Sequence, residues 1–141
     1  GKFPGFWANL PHYSWSVDLM YAGAHAANET YFITSRCGPH RLAESTMALH
    51  NLNDRVITRK RTGYRPPLPV LPVDSHLDKL PIINALNLTH YMDDRLDTMK
   101  VATLKCWNTQ LALWDQPWNR HINLSGVARL RSVEEFKQWL R

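Results

Sequence analysis

Residues 90–114 read HYMDDRLDTMKVATLKCWNTQLALW, and how this stretch is taken decides the fold. Met92, Leu96, Met99, Thr103, Cys106, Gln110 and Leu113 recur at three- and four-residue spacing, the signature of one helical face. Asp93, Asp94 and Asp97 come early and Lys100 and Lys105 late, the order that suits a helix dipole. Pro117 is a natural stop. The pattern predicts one long amphipathic helix.

Working outward, SVEEFKQWL at the end of the chain holds a capping box, Ser132 with Glu135 three residues on. It predicts a short C-terminal helix carrying Phe136, Trp139 and Leu140 inward. On the other side, VDSHLDKLPIINALNLTH starts a helix at Asp74 or Ser75, which Pro81 should end or kink. Further upstream, VDLMYAGAHAAN (17–28) and RLAESTMALHNL (41–52) read as helices, and TYFIT (30–34) as a short strand. Residues 1–17 combine Pro4, Pro11 and two glycines with five aromatic side chains. That composition suits an arm laid over protein better than a regular element.

The expected fold is therefore mainly α: short amphipathic helices, long extended proline-rich connections and an aromatic N-terminal arm. As one small domain it divides into an arm (1–17), a helical segment (18–57), a basic and proline-rich strap (58–73) and a second helical segment (74–141). A chain of 141 residues is the size of one ordinary domain. Its 44% apolar and 21% charged content is that of a globular chain. No apolar run approaches the ~20 residues of a membrane helix. The chain begins at Gly1 without an initiating Met, which fits a processed terminus or a fragment.

Signals for chemistry are sparse. Cys37-Gly38-Pro39-His40 sets a thiol three residues from an imidazole, but no second ligand pair accompanies it. With Cys106 standing alone, a turn beside a packed cysteine accounts for it. His90, Asp93, Asp94 and Asp97 fall within two turns of the expected helix, where N- and O-ligands could meet a metal. Capping and the helix dipole explain the same acids without one. Glycine-rich phosphate loops, G-x-S-x-G and H-E-x-x-H are absent. No catalytic residue, metal site or cofactor is assigned, and the chain reads as no enzyme.

Binding signals are stronger. The formal charge is +5, and Arg55, Arg59, Lys60, Arg61 and Arg65 cluster around Tyr64. Such a run suits phosphates of RNA or anionic lipid headgroups, with the ring free to stack. It leads into Pro66, Pro67, Leu68, Pro69 and Leu71, whose apolar character exceeds what a solvated linker needs. PPLP itself is a core that one class of WW domain accepts. Trp7 and Trp15 in the arm join these residues as expected partner contacts. Sequons at Asn28, Asn87 and Asn123 would matter only in a secreted protein.

Asp94-Arg95-Leu96, Met99-Lys100, Ala102 and Gln110 resemble a helical segment of the small matrix-facing subunit of the cytochrome bc1 complex. The resemblance is confined to those residues, and the assignment does not rest on it. The expectation is a non-catalytic accessory subunit of a large assembly, a mitochondrial respiratory-chain or ATP synthase complex, bound to other protein subunits. The alternatives are a mitochondrial ribosomal protein that uses 55–65 on RNA, and a secreted glycoprotein.

Overall fold

The computed structural model describes residues 30–35 and 70–141. The expected arm 1–17, the helices at 17–28 and 41–52, Cys37 to His40, the cations Arg55 to Arg65 and Pro66 to Pro69 lie outside the described residues. The chain divides into two compact units at Ser75 and His76.

In the first unit, β1 (Phe32–Ser35) pairs in parallel with β2 (Val70–Val73). The strand read from TYFIT is thus present, shifted slightly along the chain. Leu71 stands in β2 in register with Ile33, so the end of the proline-rich stretch is a strand. Pro72 supplies no N–H to the ladder, a restriction that suits a strand with few neighbours.

The second unit, His76–Trp139, is a three-stranded parallel sheet with helices. After a 3-10 turn (His76–Asp78) come α1 (Lys79–Ala85), β3 (His90–Asp93), α2 (Leu96–Lys105), β4 (Gln110–Trp114), β5 (Val127–Leu130) and α3 (Val133–Trp139). The strand order is β3-β4-β5, with Asp93 opposite Leu113 and Leu113 opposite Arg129. A parallel pair needs a crossover, and α2 is the one that links β3 to β4. The expected mainly α fold is therefore corrected to an α/β architecture.

The single long helix over 90–114 is corrected to strand, helix, strand, for identifiable reasons. Asp93 Oδ1 accepts the main-chain N–H groups of Asp94 (2.7 Å) and Arg95 (3.3 Å), a local turn that competes with helix. Arg95 is extended, and the helix starts only at Leu96. At the far end Cys106 leaves helical geometry, and Gln110 N–H donates to Thr89 O at 2.8 Å to open the ladder. QLALW then runs as the middle strand with Leu111 to Trp114 all buried. A strand covered on both faces is a continuous apolar run, which periodicity cannot separate from buried helix.

Along α2 and its C-cap, Leu96 and Thr103 are only half-buried, whereas the expected inward positions Met99 and Cys106 are buried, together with Ala102. They join Ile83, Leu113, Leu130 and Phe136 in the core, where each large side chain contributes about 1.5–3 kcal/mol. Pro81 does not break α1. It sits in the first turn, where its missing N–H would have had no helical partner. The helix instead ends at Ala85, and Asn87, just past the C-cap Leu86, has a left-handed φ of 51°. Leu88 N–H there donates to Ile83 O (3.0 Å) and Asn87 N–H to Asn84 O (3.1 Å), a Schellman closure.

Candidate functional site

Because β3 and β4 are parallel, their carboxyl ends lie at the same edge of the sheet. In open α/β sheets that edge is where ligands bind. Here it carries Asp93 as the last residue of β3, Asp94 just after it, and Asp115 after β4.

Asp93 is the anchor. Its Oδ2 accepts from Lys79 Nζ at 3.2 Å and from the hydroxyl of Tyr91, while Oδ1 takes the two main-chain N–H groups. Tyr91 lies two residues back on the strand, so both side chains leave the same face. Lys79, the first residue of α1, is itself buried. Burial would raise the pKa of Asp93, but the Lys79 charge and the hydrogen bonds from Tyr91, Asp94 and Lys79 hold it below the usual range. Burial, then the nearby Asp93 charge, pushes the Tyr91 phenol up, so it stays a donor.

Asp94 behaves in the opposite way. Burial, reinforced by a hydrogen bond to Asp93 and by that neighbour's charge, pushes its pKa up to about 6. One carboxyl of the pair is thus locked ionised and the next exchanges a proton near neutrality. That separation of roles is what acid–base chemistry requires.

Behind Asp94 lies a second polar group. Asn119 is fully buried, and its Nδ2 donates to Asp94 O (2.8 Å) and Trp114 O (2.9 Å). Its Oδ1 accepts from Gln116 N (3.1 Å) and from Arg129 (3.0 Å). Arg129, reaching up from β5, also pairs with Asp115 at 2.6 Å and bonds the carbonyls of Asn119 and Ile122. Burial would raise Asp115, but hydrogen bonds from Arg129 and Arg120 outweigh it and keep the carboxyl low. At the rim, the Trp118 indole N–H donates to Asp94 O at 3.2 Å while the ring is 54% exposed.

The four residues weighed as metal ligands are not one group. His90 packs edge-on against Trp139, with ring centroids 4.9 Å apart, and Asp97 pairs with Arg95 at 2.9 Å. Only Asp93 and Asp94 stay at the strand end. Among the described residues no set of three or more His, Cys, Asp or Glu side chains is placed to hold a metal ion. None of their helices is long and apolar enough to cross a membrane. Of the residues assigned to partner or polyanion contacts, Leu71 alone is described. Lys79, Tyr91, Asn119 and Arg129 carried no signal in the sequence. Asp93 and Asp94 were legible only as acids, and the sequence pattern set them in the first turns of a helix, not at the end of a strand.

No family model matches the chain, and no solved structure matches it. It is 29% identical over 140 residues to a protein of Oceanobacillus iheyensis described as a putative nucleotidase. The match takes in 94% of this chain, which spans 63% of that protein's length. This similarity overturns the expectation of a non-catalytic accessory subunit and points toward an enzyme.

Proposed function

We infer that the chain contributes to an enzyme that hydrolyses the phosphate ester of a nucleotide. The observation that carries this reading is the Lys79–Asp93–Asp94 group at the carboxyl edge of the parallel sheet. The similarity to a protein described as a putative nucleotidase supports it. In such a reaction water oxygen bonds to phosphorus, the ester P–O bond breaks, and a proton reaches the leaving oxygen. Asp94, with its pKa near 6, is the group suited to carry that proton. Lys79 keeps Asp93 charged, and burial, reinforced by the Asp93 hydrogen bond and charge, keeps Asp94 in the working range.

The half-exposed ring of Trp118 supports a nucleotide over a simpler phosphate. It borders Asp94, and base stacking on an aromatic face typically supplies about 1–3 kcal/mol. The test is release of inorganic phosphate from a panel of nucleoside monophosphates. Wild-type protein should release it, and Asp94→Asn should lower kcat by about 10²-fold or more. A wild-type protein inert toward every nucleotide in the panel would overturn the reading.

A further inference from the structure

We propose that Asn119 is the positioning residue of this site, tying the main chain of Asp94 to the end of β4. The inference rests on the reading of Asp94 given above. The β3–β4 ladder ends with Asp93 opposite Leu113, so Asp94 lies one residue past the last strand pairing. Its carbonyl therefore has no strand partner, and Asn119 Nδ2 takes that place at 2.8 Å. The same nitrogen donates to Trp114 O, the corresponding carbonyl at the end of β4. One side-chain amide thus extends the sheet by a rung and fixes the peptide plane from which the Asp94 side chain departs.

The orientation of that amide is settled by its surroundings. Two carbonyls face its nitrogen, while the Gln116 N–H and the Arg129 guanidinium face its oxygen. An aspartate has the same shape and keeps both acceptor contacts, but it would turn an oxygen toward two carbonyls. A leucine would take one hydrogen-bond partner from each of the four groups in a buried place. Arg129 and Asp115 hold Asn119 in turn, through the guanidinium bonds to its side chain and its carbonyl. Asn119 is not itself expected to touch substrate.

The test compares the wild-type protein with Asn119→Asp, Asn119→Ala and Trp118→Phe, and with Phe136→Leu as a destabilised core control. Two readouts are taken: kcat and KM on a nucleoside monophosphate, and hydrogen exchange at the Asp94 and Arg95 amides. Both Asn119 variants should lose on the order of 10²-fold in kcat with KM nearly unchanged, the effect of a misplaced reacting group. Exchange at Asp94 and Arg95 should rise about tenfold or more while the β4–β5 amides keep their protection. Trp118→Phe deletes the second donor to the same carbonyl from an exposed side chain, and should lower kcat by less. Phe136→Leu should lower the Tm and leave kcat alone. Wild-type kcat and exchange in Asn119→Asp would overturn the proposal, because only the donor side of the amide is lost there. Should the wild-type protein prove inert on nucleotides, the preceding reading fails and exchange alone decides this one. Faster exchange confined to Asp94 and Arg95 upholds it, and unchanged exchange overturns it.

Discussion

Asp93 and Asp94 are adjacent in sequence, yet their environments drive them apart. Asp93 is surrounded by donors and a buried ammonium, so its charge is held in place. Asp94 is partly buried and has that charge as a neighbour, so ionising it is opposed. The Lys79–Asp93 pair is almost dry, with 10% and 9% side-chain exposure. Removing one member of such a pair leaves the other charge buried and unpaired. Lys79→Met should cost about 3–5 kcal/mol in urea unfolding. A cost below about 1 kcal/mol would mean the pair is solvated. Nothing in the sequence marked Lys79, because it stands fourteen residues from Asp93 and meets it only through the fold.

At the scale of elements, local signals fared better than long-range ones. The Ser132 half of the capping box before α3 is present, Glu135 N–H donating to Ser132 Oγ at 3.1 Å, while Glu135 Oε2 accepts from Arg131 N–H at 2.7 Å, one residue before the cap. Every group involved is within four residues, so the sequence carries the whole interaction. Ser132→Ala should cost about 1 kcal/mol in chemical denaturation, with Ser132→Asp restoring most of it. No change on Ser132→Ala would show that α3 is held by Phe136 packing alone. The periodicity over 90–114 misled because it joined one true helical face, Met99 to Cys106, to two strands. Leu111 to Trp114 look helical only because both faces of β4 are covered.

For the molecule as a whole, the carboxyls set how stability follows pH. Asp93, Asp97 and Asp115 all have lowered values in the fold, so their contribution is present above the ordinary carboxylate range and is lost as pH falls through the lowered values. Asp94 has the reverse sign. Its value rises from 3.8 to about 6, so between those pH values the folded state binds more protons than the unfolded one. Stability due to Asp94 therefore falls as pH rises from 4 to 6 and is level above that. The wild-type Tm minus that of Asp94→Asn should drop across this window. A flat difference would place Asp94 in water. The sequence by itself determined the local features: the strand after Thr30, the inward positions Met99 and Cys106, and the cap of α3. Only the tertiary structure decided that β3, β4 and β5 are strands of one parallel sheet. Only it brought Lys79, Asn119 and Arg129 to the edge where Asp93 and Asp94 stand. A cap depends on neighbours in the chain, whereas a buried strand and its polar edge depend on contacts between residues far apart in sequence.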